Sequence, residues 1–553
     1  MHSLQTLLFC LLLILARADL LLQHADAGRI EQFAALSGLP PPTHVHGNYY
    51  AILTNSPAAD LAHRAAQHDM LLEDANPLPF AVGAQLGFRP PPSRSRFADR
   101  ALSTNVGWEL PLTPNAGIHL NLTGLAERGI DGRGTSISIL DDGVDSAHQT
   151  FQLSKPTTCS YSLCGKPDDG GIPPTTYDTH GTACAALAVG KTGCNGRGVA
   201  PGATLCSVRL LCSTAPTAID LARGYAANNN DATGSIVSAS FGPMDNGQTY
   251  YNLHALVWDV LESNMRNKLI HVHAAGNGHQ SLDTCAADGT VSNPFVISVG
   301  AADSGGTVAY YSEGCPSLTG VAPSNGGQEL ISALAGRSHA GCTSFGGTSA
   351  AAPMVAGIVS LLKQVRPALT LRDARDVLIR TANRDKMHAT TFTCNAGGFC
   401  HNARAGFGLF DGGAAVAHVS RDDYAPLPPQ KKCVADAFVV NGSSIAVMVA
   451  NCPIIFTEYM FFEMVYEGSL SALRNVVWTT PAGTPAQFLK NTHKYTIANV
   501  AQSGGIWMYG EQANGAWSMS WSEQRSVSPG AQPSGTAARP NLVSRVRIAL
   551  YGH

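Results

Sequence analysis

Apolar and polar positions divide this chain into three regimes. From about residue 105 to 420, short β-branched runs alternate with stretches whose apolar positions recur at helical spacing. Thr135 to Leu140, Ile236 to Ala239, Ile270 to Ala274 and Phe295 to Val299 read as strands buried in a parallel sheet. Tyr250 to Asn264 and Ala350 to Gln364 read as helices packed on that sheet, so the predicted class is α/β. Beyond Cys433 the runs shorten and turn residues multiply. Ser443 to Val449, Ala516 to Trp521 and Val543 to Tyr551 are predicted strands of a β-sandwich. Ahead of the α/β region, residues 19 to about 100 read as a small α+β unit. It has a helix over Arg29 to Leu39, a strand over Tyr49 to Thr54 and an amphipathic helix over Ala58 to Leu72.

A Pro-rich basic segment, Arg89-Pro-Pro-Pro-Ser-Arg-Ser-Arg-Phe-Ala-Asp-Arg100, separates the first unit from the second and reads as an exposed linker. The 553 residues suit about three or four folding units. With 44% hydrophobic residues, 14% charged residues, 56 Gly and 32 Pro, the composition is that of a loop-rich globular protein. A net charge of −3 without a basic cluster predicts neither nucleic acid nor anionic lipid as a partner. The apolar run Leu7 to Ala16 ends in Ala16-Arg17-Ala18, a signal-peptidase pattern before Asp19, although no Lys or Arg precedes it. It falls short of the ~20 residues a membrane span needs. A soluble protein of the secretory route is expected, with glycosylation acceptors at Asn121-Leu-Thr123 and Asn441-Gly-Ser443.

Of the 14 cysteines, Cys10 leaves with the signal, and an odd number remains. Cys159/Cys164, Cys206/Cys212 and Cys394/Cys400 are close enough in sequence for local pairing, and Cys433/Cys452 suits a staple in the last unit.

Three motifs carry the candidate chemistry, in the chain order Asp, His, Ser. Ser136-Ile-Ser-Ile-Leu-Asp141-Asp142-Gly143 is an apolar strand ending in two carboxylates, where α/β sheets gather their reactive groups. His180-Gly181-Thr182-Ala183-Cys184 opens a helix of small and apolar residues. Phe345-Gly346-Gly347-Thr348-Ser349-Ala-Ala-Ala-Pro353 places a hydroxyl at a helix N-terminus, whose amide can also donate to an oxyanion. Each motif alone has a plainer explanation: an acidic turn, a surface histidine, an N-cap. Together they supply a nucleophile, a base and an orienting carboxylate.

These motifs resemble the subtilase family, and the double Asp with His-Gly-Thr-x-Cys and Gly-Thr-Ser-Ala-x-Ala-Pro resembles its kexin/furin branch, the proprotein convertases. The resemblance implies a subtilisin-like parallel sheet flanked by helices over 101–430. It also implies a signal peptide over 1–18, an N-terminal propeptide over 19–100 and a C-terminal P domain over 431–553. The roles it implies are Asp141 as orienter, His180 as base then acid, Ser349 as nucleophile and Asn277 of Ala274-Ala-Gly-Asn277-Gly278 as oxyanion donor. Ser240-Phe-Gly242-Pro-Met-Asp245 resembles the segment that pairs with substrate. Asp245 and Asp288 fall on pocket acids, and Asp245, Asp283 and Glu313 on ligands of a Ca²⁺ ion. Asp142 falls beside the next substrate residue upstream, and Asp220 on an acid further out. Met244, Tyr251, Thr214, Thr217 and Tyr177 replace convertase acids, so looser demands are expected there. The resemblance further implies disulfides Cys194/Cys342 and Cys285/Cys315, with Cys184 a free buried thiol.

The expected function is hydrolysis of secretory proteins or peptides after Arg or Lys by a Ca²⁺-dependent serine endopeptidase, held as a monomer with its propeptide as inhibitor. The expected activation is self-cleavage after Arg96 or Arg100. Two alternatives stay open: a degradative subtilase without basic preference, and a binding protein on a catalytically dead scaffold.

Overall fold

The structure is a computed structural model. It describes residues 19–23, 43–46, 49–53, 71–74, 80–82 and 119–553, less 154–155, 165–169, 174–177, 193–196, 213–214, 227–234, 267, 326–329, 335–340, 389, 439–442, 468–471, 491–494, 496–499 and 525–541. The expected signal peptide, the helix over Arg29 to Leu39, the basic linker with Arg96 and Arg100, and Cys194, Tyr177 and Thr214 lie outside the described residues.

Seven parallel strands form the central sheet, in the order Gly320–Pro323, Val296–Ala302, Ile270–Ala274, Ser235–Ala239, Ser136–Asp141, Thr204–Arg209 and Tyr161–Ser162. The chain leaves the central strand Ser136–Asp141 toward one edge and returns on its other side at Ser235–Ala239. The carboxyl end of Ser136–Asp141 is therefore the point where strand order reverses, and a crevice opens there in such sheets. Ile270–Ala274 coincides with its predicted bounds; the other predicted strands shift by one to three residues.

Two helices bring candidate residues to that edge, His180–Val189 and Thr348–Val365. Both are apolar on nearly every face because both are buried, which is why neither shows a clean amphipathic stripe. Thr348–Val365 has the length and hydropathy of a membrane span, yet it is the central core helix, packed with Ile137, Val272, Ile297 and Leu187 in one cluster. The helix predicted from Tyr250 runs over Ala255–Arg266 instead. Tyr251 is held in a bridge to Asp288, which keeps this stretch extended.

Antiparallel strands of the last unit form two four-stranded sheets, Lys431–Phe438, Leu542–Gly552, Thr457–Glu467 and Val500–Gly505 in one, Ser444–Val449, Gly515–Gln524, Ala472–Thr479 and Pro485–Gln487 in the other. Trp478, Trp517, Met460 and Ile548 pack together among their buried residues. In the first unit, Thr43–His46, Tyr49–Leu53, Asp19–Gln23 and Leu71–Asp74 form an antiparallel sheet. The last two residues of the helix predicted over Ala58 to Leu72 belong to a strand instead. Phe80–Val82 leaves that unit to pair with Phe241–Pro243 of the central one.

The local pairings Cys159/Cys164 and Cys206/Cys212 are corrected: the disulfides are Cys159–Cys206 and Cys164–Cys212. Tyr161–Ser162 lies parallel to Thr204–Arg209, so the cysteine before the edge strand meets Cys206 within its neighbour and the one after it meets Cys212 beyond that neighbour's end. Each closes a loop of 47 or 48 residues that carries the His180 helix. Closure of that length restricts the unfolded chain by about 4 kcal/mol in the chain-entropy account. Cys285–Cys315, Cys394–Cys400 and Cys433–Cys452 pair as expected, Cys342 is disulfide-bonded, and Cys184 is free and buried.

Candidate active site

Strand Ser136–Asp141 ends with the Asp141 carboxylate pointing at the imidazole of His180: Nδ1 lies 2.9 Å from Oδ1 and 2.8 Å from Oδ2. The approach is close because residue 181 is glycine; a Cβ there would lie 2.4 Å from the Gly143 carbonyl and 2.9 Å from the Asp141 Cβ. Burial alone disfavours the imidazolium, but the Asp141 carboxylate outweighs it and holds His180 well above the ordinary histidine range. Phe345 meets the ring edge-on at 5.2 Å. His180 Nε2 is buried without a hydrogen-bond partner.

Ser349 is the second residue of its helix, 3% exposed. Pro353 lacks the N–H that would bond the Ser349 carbonyl four residues back. That carbonyl instead accepts from Cys184 Sγ at 3.5 Å and Ser240 Oγ at 3.2 Å, which ties the serine to the His180 helix and to the Ser240 segment. The Ser349 hydroxyl donates to the Ser240 carbonyl at 3.5 Å and is not bonded to the imidazole. Cys184 Sγ also lies 3.9 Å from His180 Nδ1, and burial pushes its thiol up to about 11, so it stays protonated and unreactive at neutral pH.

Asn277 follows strand Ile270–Ala274. Its Oδ1 accepts from the Thr348 backbone N–H at 2.8 Å and the Thr348 hydroxyl at 3.1 Å, which fixes the amide and leaves Nδ2 as its donor. Asn277 lines a cavity together with Ser240, Gly242, Asp245, Asp288 and Glu313.

Four carboxylates stand at this cavity, with no basic side chain among the described residues that line it. Asp288 accepts from Thr290 N–H and hydroxyl at 2.8 and 2.6 Å, and burial pushes it up to about 7. A Cβ on Gly242 would lie 2.9 Å from its other oxygen, so only glycine leaves the carboxylate open to the cavity. Asp245 accepts from Asn277 N–H at 3.0 Å, Glu313 from Gly278 N–H at 2.9 Å and Asp283 from Gly247 and Thr284 N–H at 2.8 and 2.9 Å. Burial raises all three: Asp245 to about 6, Glu313 well above its usual range, where neighbouring Asp283 and Asp245 add to it, and Asp283 upward. Buried, oxygen-only donors of like charge are the donor chemistry that suits a hard divalent ion.

Asp220 and Asp142 are not among the described residues that line this cavity. Asp220 is the third residue of helix Ala218–Tyr225 and accepts from the Thr217 N–H and hydroxyl at 2.9 and 2.8 Å, a capping box away from the cavity lining. Asp142 is buried, and its oxygens accept the His180 and Gly181 backbone N–H groups at 3.1 and 2.7 Å. Thr179 gives that helix no side-chain cap, so the Asp142 carboxylate serves as one from outside. Burial and neighbouring Asp141 push it up to about 7. Sequence reasoning missed the part of Pro353, and also Tyr495, whose hydroxyl donates to Asp283. A proline four residues after a motif serine is a readable signal; nothing near Tyr495 is.

Asp, His and Ser gathered in that chain order at the carboxyl edge of a parallel sheet is an arrangement of serine-hydrolase scaffolds. The profile of the Peptidase S8 subtilase family matches residues 132–408, half of the chain, and the chain belongs to that family. Human proprotein convertase subtilisin/kexin type 7 is 33% identical over 318 residues, 55% of this chain and 40% of that protein. PC3-like endoprotease variant B of Hydra vulgaris is 30% identical over 431 residues, 73% of this chain and 60% of that one. The chain thus spans between two fifths and three fifths of the length of these relatives. Among solved structures, the serine protease of Aeromonas sobria in complex with its chaperone superposes with a TM-score of 0.67 at 18% identity, covering 79% of this chain and 90% of that one. Its fold, a parallel sheet flanked by helices with β-structure after it, is shared.

Proposed function

We propose that this protein is a serine endopeptidase of the secretory route that cuts other proteins after Arg or Lys. Asp141 orients His180, His180 is general base and then acid, Ser349 is the nucleophile, and Asn277 donates to the oxyanion. The observation that carries the reading is the buried His180–Asp141 pair, with Nε2 left open beside the Ser349 helix. In the neutral imidazole the carboxylate keeps the single proton on Nδ1, so that Nε2 is the acceptor in the form that acts as base. On substrate binding the Ser349 hydroxyl exchanges the long contact with the Ser240 carbonyl for Nε2, a tightening common in sites of this kind.

The acids at the cavity support basic specificity, because a guanidinium or ammonium entering a dry pocket needs carboxylate partners and Asp288 and Asp245 stand there. Asp245, Asp283 and Glu313 hold Ca²⁺ in this reading, which neutralises their mutual repulsion. The antiparallel pairing of Phe80–Val82 with Phe241–Pro243 supports a propeptide role for the first unit: its chain already lies along the segment expected to pair with substrate. Self-cleavage after Arg96 or Arg100 then releases it.

Labelling by a fluorophosphonate, lost in Ser349→Ala, tests the chemistry. A peptide-library profile of the activated wild type, with and without a calcium chelator, tests the pocket. Cleavage after Arg or Lys that fades on chelation is expected. Cleavage after apolar residues overturns the pocket assignment, and an unlabelled wild type overturns the enzyme.

A further inference from the structure

The segments that line the cavity are backed by the C-terminal sandwich. Ala275, Cys285, Ala286 and Ala287 pack in the same hydrophobic cluster as Trp478, Trp507 and Trp517 of the C-terminal sandwich. The sandwich strand Val500–Gly505 runs against the segments that carry the pocket residues. Asn252 pairs with it like a strand neighbour: its Nδ2 donates to the Val500 carbonyl at 2.9 Å, and its Oδ1 accepts the Gln502 N–H at 3.0 Å. The Tyr250 hydroxyl donates to the Gln502 carbonyl at 3.0 Å, and the Ser503 hydroxyl to the Ala286 carbonyl at 2.8 Å, two residues before Asp288.

Tyr495, also from the sandwich and fully buried, goes one step further. Its hydroxyl accepts the Thr284 N–H at 2.9 Å and donates to Asp283 Oδ1, while its ring meets Tyr250 edge-on at 5.9 Å. Asp283 Oδ1 is thus fixed by Thr284 N–H and the phenol together, and Oδ2 by Gly247 N–H. A carboxylate held by three donors has one orientation, and here one of the three belongs to another folding unit.

We propose that Tyr495 is a positioning residue of the specificity pocket: the C-terminal sandwich inserts its phenol beneath the pocket and sets the Asp283 carboxylate. The acid cluster reaches its working geometry only when the sandwich is docked. This rests on the basic-specific reading of the pocket given above. A phenylalanine fits the same space and removes only the hydroxyl, so Tyr495→Phe isolates the contact.

The test compares activated full-length wild type, Tyr495→Phe and Tyr250→Phe. Tyr250→Phe deletes a hydroxyl from the same interface, the one that donates to the Gln502 carbonyl. Two readouts are taken. One is kcat and KM on paired peptides with Arg or Leu before the scissile bond; the other is the calcium concentration that half-maximally raises the melting temperature. For Tyr495→Phe the KM of the Arg peptide rises about ten-fold with kcat changed far less, as expected for loss of one hydrogen bond to a charged group. The half-maximal calcium concentration rises by a similar factor, and Tyr250→Phe shows neither change. Tyr495→Phe indistinguishable from wild type in both readouts overturns the inference, as does an equal effect of Tyr250→Phe. A wild type that cuts both peptides alike overturns the proposed function itself, a result read before either variant is compared.

Discussion

Glu458 sits at the junction of the sandwich and the α/β region, 1% exposed, and exchanging it for Gln tests how that junction is held. Its oxygens receive Arg372 in a two-pronged contact, Nε at 2.8 Å and the terminal nitrogen at 2.5 Å, and one of them also faces His553 Nδ1 at 2.9 Å. Fully buried Arg375, stacked over Tyr459, draws on the same negative charge. Burial disfavours the Glu458 carboxylate, but Arg372 and His553 outweigh it and hold it below the usual range. Glu458→Gln keeps the shape and removes the charge, turning an amide NH₂ toward a guanidinium and leaving two buried cations uncompensated. Breaking a buried pair from one side costs about 3–5 kcal/mol, whereas replacing both partners by apolar groups is close to neutral. For a unit the size of this sandwich, about 3–5 °C of melting temperature per kcal/mol gives a fall of roughly 10–25 °C. Calorimetry at pH 7, at one fixed scan rate, compares wild type, Glu458→Gln and Arg372→Met/Glu458→Leu. A single variant within about 2 °C of wild type, or a double variant as unstable as the single, refutes the reasoning.

Gly276→Ala is expected to damage the active site from one residue away. Its φ is +105°, and a Cβ there would lie 2.6 Å from Glu313 Oε1, so Asn277 must shift; kcat/KM falls by about 10²–10³, as for removal of an oxyanion donor, and activity within two-fold of wild type excludes this. The second concerns acid. Burial pushes His273 down to about 3, and neither of its ring nitrogens has a hydrogen bond. The unfolded chain takes up that proton near pH 6.5 and the folded one does not, so this contribution is intact above about 6.5 and declines as pH falls toward 3, costing about 2 kcal/mol at pH 5. Asp142 and Asp288, both raised to about 7, work in the opposite direction, so the histidine is isolated by difference. His273→Phe, which keeps an aromatic ring against Tyr225, should gain about 2 kcal/mol on wild type in denaturant titrations between pH 7 and 5, and parallel curves count against it.

Features written into contiguous residues were legible. The strand Ile270–Ala274 is a β-branched run buried on both faces, and its bounds needed no tertiary information. The three motifs read correctly as strand end, helix start and helix start because each is a local hydrophobic run with its own punctuation. Reading stopped where a residue's partner was remote. Tyr250 to Leu253 has the apolar content of a helix start but bridges to Asp288 and Gln502 instead. Cys159 and Cys164 are near in sequence, yet the parallel register at Tyr161–Ser162 separates them and sends each to a cysteine about fifty residues on. Asp142 and Asp220 each give their carboxylate to backbone N–H groups at a helix start, contacts that no motif announces.

The same division explains why chemistry was easier to read than the support beneath it. A nucleophile, a base and an orienter each need a motif, because each must sit at a strand end or a helix terminus to be presented at all. Their tuning needs only a contact. Cys184 bonds Ser349 across 165 residues of sequence, Thr348 holds Asn277 across 71 and Arg372 reaches Glu458 across 86. Tyr495 reaches Asp283 across 212, from a unit with no motif of its own. A tyrosine in a loop carries no periodicity and no spacing that marks it, and only docking gives its hydroxyl a partner. If that docking sets the pocket, specificity is a property of two folding units, and it is lost in a variant whose motifs are all intact.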